Sequence, residues 1–260
     1  MATTKNIQSI ERAFQILELL QNANDGEMSL KDIARALDLS KSTTFGLANT
    51  MANLGYLQQD SSNQKYMLGL RLLSFSEAVK QQSALRQIVH PYMEKLNAKY
   101  DETVHCAIKY GEKILYIDKV EASNSPIYIS TRIGATRDMH CTGVGKCILA
   151  NTPESEQREI LSKPLRTATF HTITNSKQLQ IELEKIRKDG YAIDDEESDV
   201  GLFCVAVPIF SAENTVACAI SVSGIKPRLK QALDYGIVQE LKQVANIISK
   251  VAFNYDASII

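Results

Sequence analysis

The stretch SLKDIARALDLSKSTTFGLANTMANLGY, residues 29–56, decides how the first part of the chain folds. Leu30, Ile33, Ala34 and Leu37 fall at i, i+3, i+4 and i+7, one apolar stripe of a short helix. Asp38-Leu39 interrupts the stripe, and Ser40 is a favourable N-cap for a second helix. In that helix Thr44, Leu47, Ala48, Met51 and Leu54 share a face, and Gly55 closes it as the C′ residue. Two short helices joined by a turn of about three or four residues form a helix-turn-helix. Residues 56–59, a turn at 60–63 and a returning strand at 64–68 then read as a wing.

At about 100° per residue, the buried face of the second helix centres between Leu47 and Met51. The opposite face carries Ser42, Phe45, Gly46, Asn49 and Asn53, flanked by Lys41 and Thr43. Asn pairs bidentately with adenine, and Phe lies against thymine methyls. Lys41, Ser42 and Thr43, at the helix start, suit phosphate, because backbone N–H groups point outward there. Ser42 and Thr43 can equally cap the helix, and the two roles are compatible. Lys65 on the returning wing strand completes the candidate DNA-binding set. The reading is a winged helix that enters a DNA major groove.

At 260 residues the length favours two modest domains. Hydrophobic content of 44% and charged content of 23% belong to an ordinary globular chain. No apolar run approaches the ~20 residues that span a bilayer, and MATTKNIQSIERAF lacks the apolar core of a signal peptide. The chain is expected in the cytoplasm. A net charge of −1 argues against indiscriminate nucleic-acid binding. Residues 1–68 are not basic either, so binding must lean on specific contacts and dimerisation. Five cysteines, an odd number without a C-x-x-C pair, indicate a reducing compartment. His140, Cys141 and Cys147 lack zinc-finger spacing, so buried thiols are expected rather than a metal site. Nothing calls for a cofactor.

In chain order, residues 6–21 form an amphipathic helix, with Ile10, Phe14, Leu17 and Leu20 packing across the helix-turn-helix pair. Residues 22–28 make a polar turn. A linker helix covers 70–79, and a helix over 84–99, bent near His90-Pro91, opens the second domain; His90 reads as structural. Residues 103–109, 113–121 and 127–132 read as strands. Helices follow at 143–150, 153–162 and 176–189, strands at 202–210 and 216–223, and one long helix at 227–255. The fold class is α+β, divided as 1–68, 69–83 and 84–260.

With these elements in place, the chain resembles the isocitrate lyase regulator (IclR) family of bacterial transcription factors. SIERAFQILELL and LSKSTTFGLANTMANLGYL look like the family's DNA-binding half. MHCTGVGKCILA, GYAIDDEESDVGLFCVAVPIF and ISVSG look like its effector half. The resemblance covers essentially the whole chain. It implies a winged helix, a GAF-like effector-binding domain, and homodimers or homotetramers on palindromic operators, most often as repressors. At Gly46 the family pattern usually carries an Arg aimed at DNA, so operator recognition departs from that pattern here.

A sensor pocket needs an anion cradle, orienting polar groups and apolar walls. Thr142-Gly143-Val144-Gly145-Lys146 enters a helix with two glycines, leaving N–H groups at a positive helix end that suits a carboxylate. It is not a P-loop, because the longer loop and a following Ser/Thr are missing; a tight strand-to-helix turn is the alternative. In family members that bind small organic acids, the polar groups match Gly143, Val144, Asp194, Cys204, Ser221 and Ser223. Ser221 and Ser223 are two apart and share a strand face. Asp194 and Glu196 would share one face of an extended segment, and Asp195 and Glu197 the other; a solvated acidic face is the ordinary meaning of such a run. The expected effector is a hydroxy acid, sugar acid or hydrated oxo acid whose hydroxyl or other donor reaches Asp194, with aromatic acids open as well, since Tyr110, Tyr116, Tyr128 and Phe170 can be walls or core. An enzyme with Cys141 or Cys204 as nucleophile and His140 or His171 as base lacks triad-like spacing. A protein-interaction module is the other alternative.

Overall fold

The structure, a computed structural model, describes residues 6–124, 129 and 131–253. Contacts divide the chain into two units between Gln82 and Ser83.

The first unit runs α1 (Gln8–Gln21), β1 (Glu27–Met28), α2 (Leu30–Ala36), α3 (Lys41–Asn53), β2 (Leu57–Gln59), β3 (Tyr66–Leu68) and α4 (Leu72–Gln82). Both helices of the helix-turn-helix start on serine caps. Ser29 accepts the Asp32 N–H at 3.2 Å, and Ser40 accepts the Thr43 N–H at 3.1 Å. Asp38, at φ 51°, turns the chain between them, and Gly55, at φ 81°, ends α3. Ile16, Leu20, Ile33, Ala48, Met51, Leu57 and Tyr66 form the core. The buried face of α3 is therefore Thr44, Ala48 and Met51, while Leu54, expected on it, is half exposed at the helix end. Thr44 stays satisfied inside by donating its hydroxyl to the Ser40 carbonyl at 3.0 Å.

Two expectations for this unit change. On α1 the packed stripe is Ile16 and Leu20 with Ala13 and Leu17, whereas Ile10 and Phe14 face outward. The expected turn at 22–28 ends in β1, which pairs with β3 and completes a sheet of order β1-β3-β2. Lys65 and Asn63 bind Glu27 across that edge and hold the two residues in place.

The second unit runs α5 (Ala84–Tyr100), β4 (Thr103–Tyr110), β5 (Lys113–Val120), β6 (Thr136–Asp138), a 3₁₀ turn (Met139–Cys141), α6 (Gly143–Ala150), α7 (Glu154–Leu161) and α8 (Ser176–Asp189). It continues through β7 (Ala192–Asp195), β8 (Leu202–Phe210), β9 (Val216–Ile225), α9 (Lys226–Asp234) and α10 (Ile237–Phe253). The strands form one antiparallel sheet of order β6-β5-β4-β9-β8-β7. Its two faces carry separate cores. Val104, Cys106, Val205, Val207, Ile220 and Val222 pack with residues of α5, α9 and α10, and Ala107, Ile114, Ala192, Ala206 and Ala219 pack with residues of α6 and α8. Covered on both sides, β8 is buried along nearly its whole length, which explains the unbroken apolar run LFCVAVPIF.

The helix expected at 227–255 is two helices, because Tyr235 and Gly236, the latter at φ 83°, break it. The strand expected at 127–132 involves residues 127, 128 and 130, which lie outside the described residues, as does Tyr128. The helix α5 runs through Pro91, and His90 Nδ1 sits 2.7 Å from the buried Asp118 carboxylate beside Arg86.

The acidic run 194–197 is not a solvated face. The strand ends at Asp195 and the chain turns at Glu196, φ 63°, so Asp194 and Glu197 are both buried. Asp195 and Glu196 bind Lys226 at 2.7 and 2.5 Å. Glu197 is paired with Lys146, whose side chain is 1% exposed. Removing one partner of a buried ion pair leaves the other uncompensated, at about 3–5 kcal/mol. Lys146→Ala should therefore lower unfolding free energy by about that amount in urea titration; a loss below ~1 kcal/mol would mean that Glu197 finds another counter-charge or water.

Candidate functional site

The groove face of α3 is open. Lys41, Ser42, Thr43, Phe45, Asn49 and Asn53 are all exposed, and the Phe45 ring is 53% exposed although it is large and apolar. It stands in water on the same helix face as Asn49 and Asn53. The Ser42 and Thr43 hydroxyls lie 3.0 and 2.8 Å from the Ser40 hydroxyl, so the cap and the phosphate-facing edge are one cluster. A Cβ at Gly46 would meet nothing within 4 Å, so the position of the missing side chain is open space. Lys65 stands apart from the others. It is half-buried on the wing with Nζ 2.8 Å from Glu27, whose carboxyl that bond holds below its usual range. Its charge is already matched.

In the second unit, strand register builds the floor of a pocket. Asp194 pairs with Cys204, Cys204 with Ser223, and Ser223 with Thr103. The parallel row two residues on holds Ala192, Ala206, Ser221 and His105. Directly opposed residues of antiparallel strands share a face. Both rows therefore face α6, while Val205, Val222 and Val104 between them enter the opposite core.

The start of α6 lies against this floor because three residues there are small. A Cβ at Gly143 would sit 3.2 Å from the Ala206 Cβ and 3.5 Å from the Cys204 Cβ. At Gly145 a Cβ would collide with the Thr142 hydroxyl and the Met139 backbone. Thr142 caps the helix: its hydroxyl accepts the Gly145 N–H at 3.1 Å, and its carbonyl accepts the Lys146 N–H at 2.8 Å. The Gly143 and Val144 N–H groups are left without backbone acceptors among the described residues, at the positive helix end. Lys146 is paired with Glu197 and does not line the cavity.

All six residues expected to bind an effector, Gly143, Val144, Asp194, Cys204, Ser221 and Ser223, line one cavity. Its free volume of about 20 Å³ holds roughly one water. An acid of several heavy atoms enters only as the lining moves apart. Asp194 is more committed than its sequence position implied. It accepts the Glu197 N–H at 2.8 Å, the Ser198 N–H at 3.3 Å and the Ser198 hydroxyl at 2.6 Å, holding the turn after β7. Burial raises its carboxyl, against the Ser198 hydrogen bond.

Sequence reasoning missed His105 and Arg137, which also line the cavity, whereas Tyr116, considered as wall or core, lines it as well. The His105 and Tyr116 rings lie 5.2 Å apart, and burial pushes the Tyr116 hydroxyl far above its usual range. Arg137 pairs with Ile114 on the edge strand and has no ion-pair partner among the described residues. The alternation T-x-H-x-A in β4, matching S-x-S in β9, is the signal that marks His105. Tyr110 and Phe170, considered as walls, are 62% and 81% exposed and do not line the cavity.

The thiols do not have the chemistry of nucleophiles. Burial pushes Cys141 up to about 12 and Cys204 well above its usual value, whereas nucleophilic attack needs thiolate. His140 Nε2 is engaged by the Arg166 carbonyl at 2.9 Å. Cys147 is not in the cluster with His140 and Cys141; Asp138 is, and its carboxylate is bound by Arg166 at 3.0 Å.

A winged helix with an open groove face, together with a sensor-type domain whose pocket meets a helix N-terminus, defines a ligand-responsive transcriptional regulator. Residues 9–61 match the family model described as "IclR helix-turn-helix domain", and residues 77–250 match "Bacterial transcriptional regulator IclR C-terminal". The chain belongs to the IclR family. It is 34% identical over 252 residues to the HTH-type transcriptional regulator XynR of Escherichia coli K12, covering 96% of this chain and 99% of that one. The crystal structure of Thermotoga maritima IclR is 31% identical with a TM-score of 0.72, covering 94% of this chain and 100% of that one. An IclR homologue from Microbacterium hydrocarbonoxydans, crystallised with 4-hydroxybenzoate, shares the fold at 24% identity and a TM-score of 0.77, over 93% of this chain and 98% of that one. The protein is thus an effector-responsive DNA-binding regulator, not an enzyme, and among the described residues no helix is long and apolar enough to cross a membrane.

Proposed function

We propose that this regulator is a cytoplasmic repressor that binds a palindromic operator as a homodimer or homotetramer and is controlled by a small organic acid. Residues 1–68 bind DNA, 69–83 link, and 84–260 bind the effector. The observation that carries this reading is the convergence of the six effector residues on one cavity, where two α6 N–H donors have no backbone acceptor. The acid group is held by Gly143 and Val144 at that helix end, with Cys204, Ser221 and Ser223 around it and Asp194 shaping the turn beside it. The relative crystallised with 4-hydroxybenzoate is consistent with an acid effector in this fold.

On the DNA side, Lys41, Ser42 and Thr43 contact phosphate, and Phe45, Asn49 and Asn53 contact bases, while Lys65 on the wing reaches phosphate only by giving up its Glu27 partner. A near-neutral winged helix holds DNA weakly, so two copies engage one site. Ile7, at the N-cap of α1, and Ile10 and Phe14 within it are 64%, 52% and 60% exposed, and Leu73 and Val79 of α4 are 64% and 66% exposed. A second copy of this chain covers these faces, and half-sites then lie about 34 Å, or a multiple, apart along the duplex.

Asn49→Ala should weaken specific operator binding by about 1–3 kcal/mol, the range for one bidentate base contact, with little change in melting temperature. Equal loss on operator and random DNA, measured by anisotropy, would remove Asn49 from the base readers. Ser221→Ala/Ser223→Ala should weaken acid binding at least ~10-fold and leave operator affinity without effector near wild type. Unchanged acid affinity by calorimetry, in a less stable protein, would make the serines structural and overturn the pocket assignment.

A further inference from the structure

We propose that His105 selects the effector by reading a hydroxyl on it, so that the acid sensed by this protein is a hydroxy acid. This rests on the acid-sensing reading above and assigns the non-acid end of the ligand.

Buried polar atoms in native structures have partners, and an exception needs a physical reason. Four buried side-chain atoms among the described residues have no hydrogen-bond partner: Glu102 Oε1, His105 Nε2, Asp195 Oδ1 and Glu197 Oε2. Three belong to carboxylates held by a cation, Arg228 at 3.0 Å, Lys226 at 2.7 Å, and Lys146. His105 is the remaining one. Its ring is 3% exposed, it lines the cavity, and its other nitrogen, Nδ1, lies 3.4 Å from the Ser223 hydroxyl. The ring therefore belongs to the cavity wall, with one nitrogen beside a residue of the floor and the other without a partner.

The chemistry of that nitrogen narrows what it meets. Burial, with the Lys119 charge, lowers the imidazole pKa to about 3, so the ring is neutral. A neutral imidazole has one donor and one acceptor. Ser223 can donate to Nδ1 or accept from it, because its hydroxyl also meets the Ser221 hydroxyl at 3.3 Å. Nε2 is accordingly a donor in one tautomer and an acceptor in the other. A ligand hydroxyl satisfies either, whereas a carboxylate satisfies only the donor form. Asp194, the group first expected to read a hydroxyl, already accepts three hydrogen bonds from its own turn. Of the described residues that line the cavity, His105 is the one with a buried side-chain nitrogen or oxygen that has no partner, and it is assigned as the reader.

The test uses the full-length protein and matched acids differing by one hydroxyl: glycolate against acetate, lactate against propionate, and 4-hydroxybenzoate against benzoate, by titration calorimetry. Wild type should prefer the hydroxy member of at least one pair by ~10-fold or more, as expected when a site built for a hydroxyl is left unpaired. His105→Asn places its amide where Nδ1 sits, keeping the Ser223 contact but not reaching the Nε2 position. It should bring the preference within ~2-fold. His105→Gln, whose amide reaches the Nε2 position, should retain most of it. A purely structural histidine would show the reverse order, with Asn tolerated and Gln not. Equal binding of both members of every pair to wild type would overturn the role of His105 and leave acid sensing standing. A preference that survives in His105→Asn would assign the hydroxyl to another group. If no acid of the panel binds, acid sensing falls and this inference with it.

Discussion

The effector domain depends on how closely the first turn of α6 can lie against the sheet. Gly143 has no side chain, and Ala206 and Cys204 opposite it are small, so a single added carbon would already stand 3.2 Å from Ala206. That proximity brings a positive helix end, with two N–H groups unclaimed by the backbone, over a floor of serine, cysteine and histidine side chains. A larger residue at any of the three positions would lift the helix and separate the donors from the floor.

Buried charge around the pocket is spent on shape rather than on ligand. Lys146 follows the glycines at the start of α6, yet it neutralises Glu197 inside the domain. Asp194 accepts hydrogen bonds from Glu197 and Ser198 and so organises the turn after β7. The cation that lines the cavity is Arg137, from the edge strand β6. Because the cavity's free volume of about 20 Å³ admits roughly one water, binding an acid requires these walls to separate. A ligand shifts an equilibrium only by its differential affinity for two states. A pocket that must open to be filled supplies such a difference.

Much of this was legible in the sequence where the information is local. The serine caps, the i, i+3, i+4 stripe of α2 and Gly55 mark the helix-turn-helix without reference to the rest of the chain. The start of α6 and the alternation of Ser221 with Ser223 were equally local, and the structure brings all six residues named from sequence to one cavity. The failures have a common physical origin. Periodicity groups residues on a face but does not say which of two overlapping faces is covered, so Ile10 and Phe14 were placed inwards when Ala13 and Ile16 pack there. A two-residue strand such as β1 has no period at all. The alternation assumed for residues 194–197 failed because the backbone turns at Glu196. His105 was missed because its place in the floor follows from pairing with Ser221, more than a hundred residues away.

The central claim is that the pocket and the recognition helix belong to one thermodynamic switch. Coupling between two sites is reciprocal, so an acid that changes operator affinity by a given factor must have its own affinity changed by the same factor when operator is bound. The direct measurement determines both factors on the full-length protein with one acid and one operator, by anisotropy for the DNA and calorimetry for the acid. The account predicts equal factors in the range of about 5–150-fold. An acid that binds with the same affinity to free and operator-bound protein would contradict it, because the pocket would then be a binding site without control over the DNA.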